Sequence, residues 1–357
     1  VGMYKIIEDT QADFQAGTLT NVVATADGNL QLPYNSGKLL YDNFDDGNYD
    51  GWTSIEGGTP SVLNGKLRLT RDSSKGCTMV FPLSVTNNGV LIQARVTLRS
   101  GDTSAAYIGF GDGTQSNMYR LAVHCSPGWS PSSVWFIHKV VADAWSNLVT
   151  TPESEDTNEH FWTMEWSGST IRFYRDGVLI LTATDSSFSN FSHVVLRGSG
   201  SSKSPLDYAE FDEVCVMKSR YIKCHNLPTG YKFRVTDARG TIFTATESGG
   251  TATVDCIAAK FPAVKVEVLN ASNVVVDSLT PSGKVWGGDE YYYPLSDGAT
   301  GNRVSPVYDI SPAGVASNST ISWNATTPAG TSLAIETNLS LDGGQTWQGW
   351  QVCTNGG

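Results

Sequence analysis

The sequence predicts an all-β protein, and three observations carry that expectation. Period-two runs of apolar and polar residues recur along the chain, as in Val90–Leu98, Ser104–Phe110, Met118–His124, Val134–Val141, Phe161–Trp166 and Ala209–Met217. Gly, Asn, Asp and Ser bound these runs, and 36 of the 357 residues are glycine. Stretches with helical apolar spacing are scarce. Short strands at this density build antiparallel sandwiches, not parallel sheets with crossover helices.

Composition narrows the function classes. Lys and Arg number 24 against 35 Asp and Glu, a net charge of −11, and no Lys/Arg run is present. A nucleic-acid binder needs a basic stripe, so that class is set aside. No stretch approaches the roughly 18 apolar residues of a membrane-spanning helix. With 40% hydrophobic residues and 10% aromatics the chain can bury a core. None of Cys77, Cys125, Cys215, Cys224, Cys256 and Cys353 stands in C-x-x-C spacing, which argues against a zinc or redox site. Cys215 and Cys256 alternate with apolar residues as buried small hydrophobes do, whereas Cys224 and Cys256 share one segment and are candidates to pair. No two histidines sit at metal-ligand spacing.

Turn-rich breaks divide the chain. An N-terminal strand pair, 1–37, precedes a long β region at 38–218. A smaller β unit covers 219–290, and a last unit covers 296–357. Gly287-Gly288-Asp289 and Leu295–Asn302 read as linkers. No signal peptide is visible, and Val1-Gly2-Met3 suggests a trimmed start or a fragment. The last strand-like residues, Trp350-Gln351-Val352, almost end the chain, so the natural protein is expected to continue.

The long region opens with Tyr41-Asp42-Asn43-Phe44-Asp45-Asp46-Gly47-Asn48-Tyr49-Asp50-Gly51-Trp52. Its middle carries the Tyr174-Arg175-Asp176-Gly177 hairpin, whose Asp-Gly corner suits a tight turn. It closes with Glu210-Phe211-Asp212-Glu213-Val214. In this order and spacing the three strings resemble the concanavalin A-like, laminin G-like jelly-roll sandwich. Members of that family bind glycans or proteins, or hydrolyse polysaccharides. The glucanase relatives place catalytic carboxylates on one strand as E-x-D-x-E. Here Glu210 and Asp212 share a face, Glu213 points to the other, and Val214 takes the third position, so the catalytic pattern fails. Glu165 stands alone on its strand.

Glycan binding needs an exposed ring on which a sugar's C–H face can stack, with polar neighbours. Trp129, in the Pro- and Gly-bracketed loop Cys125–Pro131, is the first candidate, and Trp145 the second. Tyr107, Tyr119 and Arg120 are candidates to line a concave face. The alternative for each ring is that it caps the sandwich core. Trp52, Trp162 and Trp166 are assigned to the core. Asp46-x-Asn48-x-Asp50-Gly51 matches the start of an oxygen-rich calcium loop, but position twelve is Gly57 and the flanks are strands, which excludes an EF-hand. A structural calcium held by Asp42, Asp46, Asn48 and Asp50 and a plain Asx-rich turn both remain open. No other cofactor is implied.

The smaller unit carries Tyr231–Asp237, Thr251–Val254 and Val264–Leu269, and looks like a small immunoglobulin-like spacer. In the last unit, Ser340, Asp342, Gly344 and Trp347 fit the Asp-box S-x-D-x-G-x-T-W, a structural hairpin in which Ser and Asp bond the turn and Trp packs beneath. Ser305-Pro306-Val307-Tyr308-Asp309-Ile310-Ser311 and this box together resemble a β-sandwich module of bacteriophage tail and structural proteins. In those proteins a strand pair similar to Phe14–Val22 and Asp27–Leu32 comes just before the module. The resemblance implies that the jelly-roll and immunoglobulin-like units are inserted into one further sandwich formed by the two terminal segments.

The expectation is therefore a non-enzymatic virion- or cell-surface protein, of a phage tail or fibre. Its partners would be a cell-surface glycan, other virion proteins and further copies of itself. Two alternatives stand beside it: a secreted polysaccharide hydrolase or its carbohydrate-binding accessory, and an architectural filament or decoration subunit.

Overall fold

A computed structural model describes residues 5–20, 22–24, 30–31, 34–72, 76–98, 104–125, 133–152, 158–200, 208–281, 284–295, 302–313, 319–325 and 332–356. The chain forms two compact units, one of residues 1–31 with 301–357, the other of 32–300. Nearly all described regular structure is strand. The one α-helix among the described residues, α1 (Gln11–Gln15), is a single turn whose Thr10 side chain caps the Asp13 amide. It is followed by β1 (Thr18–Thr20), β2 (Val23–Ala24), β3 (Leu30–Gln31) and β4 (Tyr34–Asn35).

The large unit is built mostly on a two-sheet sandwich. In chain order its strands are β5 (Lys38–Asp42), β6 (Thr53–Ser54), β7 (Thr59–Leu63), β8 (Lys66–Thr70), β9 (Cys77–Thr86), β10 (Asn88–Leu98), β11 (Ser104–Gly111), β12 (Met118–Cys125), β13 (Ser133–Val141), β14 (Ala144–Pro152), β15 (His160–Ser167), β16 (Thr170–Arg175), β17 (Val178–Thr184), β18 (Asn190–Gly200) and β19 (Tyr208–Met217). One sheet has the order β17-β16-β15-β10-β19-β8-β7, with β5 also on β19; the other runs β14-β13-β12-β11-β18-β9-β6. All their pairings are antiparallel. Inward residues of both sheets fill one core, in which Trp52, Trp162 and Trp166 lie with Phe110, Phe173 and Phe211. Trp135 meets Trp162 edge-on at 5.0 Å between ring centres.

A second core lies on the outer side of the first sheet. The strands β20 (Tyr221–His225), β21 (Lys232–Thr236), β22 (Ile242–Thr246), β23 (Ala252–Asp255), β24 (Lys265–Leu269), β25 (Val275–Leu279) and β26 (Glu290–Tyr292) form two four-stranded sheets, β23-β20-β26-β4 and β22-β21-β24-β25. Their core includes Leu91, Cys215 and Met217 from the sandwich itself. A bulge sets this up. β10 and β19 slip register between Gln93 and Arg95, and Glu213 takes φ 47°. The extra residue places Glu213 beside Asp212, so both carboxylates face Arg95 at 3.6 and 3.1 Å, contrary to the strict alternation expected from sequence. Beyond the bulge Val214 and Val216 point into the first core, Cys215 and Met217 into the second.

Three sequence expectations change here. Cys224 and Cys256 are free, buried thiols, packed as small apolar side chains in the second core. Tyr34 and Asn35 pair with β26, so this stretch belongs to the small β unit and not to the terminal segments. Gly287-Gly288-Asp289 is not a linker: Asp289 is fully buried and accepts bonds from the Gly37 amide (2.6 Å), the Trp286 amide (2.8 Å) and the Tyr291 hydroxyl (3.1 Å).

The terminal unit pairs β1 with β27 (Asn302–Val304), and Arg303 holds Glu8 through both terminal nitrogens at 2.7 and 2.5 Å. After a 3-10 turn at Ser311–Ala313, β28 (Glu336–Thr337) pairs with β29 (Gln351–Val352).

A buried amide bonds the sandwich to the small β unit. Gln93 is buried; its Nε2 donates to Thr163 Oγ1 (2.9 Å) and the Ala259 carbonyl (3.1 Å), and its Oε1 accepts from the Phe261 amide (3.0 Å). Gln93→Ala strands two backbone groups in an apolar contact. It should destabilise the large unit by about 2–4 kcal/mol, read as a lower urea midpoint. An unchanged midpoint would mean that the two β units unfold independently of this contact.

Candidate functional site

The face of the seven-stranded sheet turned away from the core carries the most unusual chemistry. Alternation on β11 and β12 sends Ile108, Phe110, Tyr119 and Leu121 inward and leaves Tyr107, Arg120 and Ala122 outward. The outward residues of neighbouring strands continue the row. On β13 they are Phe136 and His138, with His138 directly opposite Arg120. On β18 Arg197 lies opposite Tyr107, and on β9 Thr78 lies opposite Arg197. Trp145 on β14 stacks over His138 at 5.7 Å and 29°.

The row is graded in exposure. Trp145 is 66% exposed, whereas Tyr107, Arg120, Phe136 and His138 are all buried. Two guanidiniums flank one ring: Arg120 stands 4.6 Å and Arg197 5.3 Å from the Tyr107 centre. Arg197 is neutralised, since its Nε and terminal nitrogen each donate to Glu56 at 2.9 Å. Glu56 also accepts from the Thr78 hydroxyl at 2.6 Å. Arg120 differs. Among the described residues no carboxylate lies within ion-pairing distance of it, and its Nε has no hydrogen-bond partner. Burial pulls its pKa down to about 10, which still leaves it charged at neutral pH. Gly109 sits opposite Arg120, and a Cβ there would lie 2.2 Å from the Tyr119 carbonyl oxygen, so no side chain rises beside the guanidinium.

The structure therefore brings together Tyr107, Arg120 and, through His138, Trp145. It separates Tyr119 from them. Tyr119 is one residue from Arg120 and so points the other way, into the core against Trp166, Phe188 and Phe191. Its hydroxyl bonds Asp185, which also accepts from Lys139 Nζ at 2.6 Å. Trp129 lies outside the described residues. Sequence reasoning missed His138, Arg197 and Glu56. For the first two the available signal was a polar residue at an outward position of an otherwise apolar strand.

The Asp42–Asp50 loop makes local bonds. Asp42 accepts from the Phe44 amide (2.9 Å) and from Trp52 Nε1 (2.9 Å), Asp46 from the Asn48 amide (3.1 Å), and Asn48 from the Asp50 amide (2.9 Å). These are Asx turns. Among the described residues no three His, Cys, Asp or Glu side chains stand together as a group that could hold a metal. In the terminal unit Asp342 accepts from the Gln345 and Thr346 amides and the Thr346 hydroxyl, and Ser340 Oγ accepts from the Gly344 amide. Trp347 is 45% exposed, with its ring against the turn at Gly344, where a Cβ would lie 3.8 Å from it.

Carboxylates on the other sheet are engaged. Glu210 pairs with Arg68 at 2.6 Å. Glu165, buried, meets Arg172 (3.1 Å), Tyr174 (3.2 Å) and Arg220 (3.5 Å) at a polar cleft of about 460 Å³ that also takes in Tyr221. It is not the isolated residue that its strand suggested. Arg220 is further matched by Asp255 at 2.6 Å.

Neither a family model nor a curated protein sequence matches the chain. Solved structures similar to part of it include carbohydrate-binding module CBM66 from Bacillus subtilis. That likeness has 18% identity and a TM-score of 0.38, over 47% of this chain and 95% of that one. The CBM2 module of the evolved Dit of Lactobacillus casei BL23 phage J-1 is similar at 10% identity and TM-score 0.43, over 52% and 96%. An endo-β-1,3-glucanase from Pyrococcus furiosus is similar at 13% identity and TM-score 0.40, over 55% and 97%.

The Asp185 site gives a pH test. Its carboxyl is held well below the ordinary 3.8 by bonds from Lys139, Tyr119 and Ser187, which outweigh burial. A depressed folded pKa adds stability above the unfolded value and loses it as pH falls toward the folded value. Asp185→Asn should therefore lower the melting temperature at pH 6, and the gap to the unaltered protein should close as pH drops below about 4. A gap that stays constant with pH would rule out the ionic contribution.

Proposed function

We propose that this chain is a non-enzymatic recognition protein of a virion or cell surface, and that the outer face of its seven-stranded sheet binds a glycan. The observation that carries the reading is the continuous row from exposed Trp145 through His138 to Tyr107 and Arg120. A sugar ring presents an apolar C–H face and a rim of hydroxyls. The Trp145 indole supplies a flat platform for the first, and the buried cation and imidazole supply polar partners for the second. Hydrolysis fits less well. It calls for two available carboxylates about 5–5.5 Å apart for retention or 6.5–9.5 Å for inversion. Among the described residues of this row the carboxylate is Glu56, which Arg197 and Thr78 already hold.

In this reading the terminal unit and the small β unit serve as structure, and the protein belongs to a phage tail or fibre built from several copies. Two features support the architectural part. The small β unit shares its core with the sandwich. The terminal unit leaves Val307, Leu341, Trp350 and Val352 more than half exposed, surface suited to contacts between copies. Any calcium in the Asp42–Asp50 loop would be structural.

Trp145→Ala should weaken glycan binding at least tenfold on an array of bacterial surface polysaccharides. It should leave the melting temperature unchanged, because the ring is mostly exposed. Trp129→Ala measured in parallel tests the loop candidate. Undiminished binding by Trp145→Ala, or no glycan bound by the unaltered protein, would remove this reading.

A further inference from the structure

We infer that the glycan taken by this face is acidic, and that a carboxylate of one of its sugars pairs with Arg120. The inference rests on the proposed function and names the ligand class for the same face.

The argument starts from charge. Folded proteins pair their buried cations, because removing a charge from water without a partner costs several kcal/mol. Arg197 obeys this rule through Glu56. Arg120, beside the same tyrosine ring and 92% buried, is without a counter-ion among the described residues. Among the described residues two guanidiniums and one carboxylate leave a local charge of +1. The whole chain carries −11, so this spot opposes the sign of the molecule and is not part of a general basic surface.

Geometry then selects the anion. Tyr107 lies against the Arg120 guanidinium, and a guanidinium offers parallel N–H donors along its edge. A planar carboxylate matches that fork with two parallel bonds. One negative charge cancels the local +1, whereas a doubly charged phosphate monoester would leave an excess. The bare position at Gly109 keeps a side chain of this chain from rising beside the fork. The exposed Trp145 ring lies in the same row, so a saccharide stacked there can extend an acidic residue toward Arg120.

The test compares matched ligands on the unaltered protein. Oligogalacturonate, hyaluronan fragments and sialylated oligosaccharides are each measured by calorimetry beside their carboxyl-reduced, neutral forms. At least one acid form should bind about tenfold or more tighter than its neutral counterpart, and the advantage should shrink with added salt. Arg120→Gln should weaken the acid form far more than the neutral one, so that the ratio of their affinities falls to about one, and Arg120→Lys should recover part of that ratio. Because the ligand comparison needs no variant, a folding defect in Arg120→Gln cannot imitate the result. Equal affinity for acid and neutral forms overturns the inference and leaves glycan recognition standing. Preference only for a sulfated glycan over its desulfated form also overturns it, as does an acid preference that survives Arg120→Gln. If no glycan of either kind binds, the proposed function falls and this inference with it.

Discussion

Burial on both faces of β10 at residues 91–94 and of β19 at residues 214–217 is the constraint from which the large unit follows. Their inward residues, such as Ile92, Val96, Phe211 and Val216, complete the sandwich core, while Leu91, Cys215 and Met217 complete the core of the small β unit. A strand covered twice has no solvent face on which to leave a polar group unpaired. That is why Gln93 meets three partners; Asp289, buried just before β26, likewise receives backbone and hydroxyl donors. The bulge at Glu213 is the local adjustment that lets one strand serve both cores while keeping its charged residues on Arg95.

The opposite sheet shows what happens where this satisfaction stops. Its inner face is an aromatic core of ordinary kind. Its outer face holds a small apolar cluster around Tyr107 and Phe136, and through it passes a cation that the described part of the protein does not neutralise. Arg197 and Arg120 touch one ring, yet among the described residues only the first has a carboxylate. The contrast excludes a general tolerance for unpaired charge in this region. It is the strongest physical reason to regard the face as a site and not as a second core.

Part of that site was legible in the residues. Trp145 follows a turn and heads a polar strand, and its exposure agrees with that position. Tyr107 and Arg120 stand at outward positions of adjacent antiparallel strands, which parity within each run implies once the strands are recognised. The same parity separates Tyr119 from Arg120, and grouping them on one face overlooked it. Glu56 could not be found this way, because it lies outside any strand and reaches Arg197 only across the fold. Glu165 looked isolated for a similar reason: Arg220 comes to it from 55 positions along the chain.

The sequence by itself determined the all-β class, the position of most strands and the inward residues of the sandwich, because period-two alternation and turn chemistry are local properties of the chain. It also placed Trp162 and Trp166 in the core, as large rings of like parity on one alternating strand, and with them Trp52, whose large apolar ring favours burial. Tertiary structure decided what alternation cannot encode. It turned Thr163 and Glu165 from surface positions into buried ones by laying the small β unit over their sheet. It left Cys224 and Cys256 as packed thiols. It gave Arg197 a carboxylate and, among the described residues, Arg120 none. Pairing of charges across strands depends on register and on loops remote in sequence, and no local pattern specifies either.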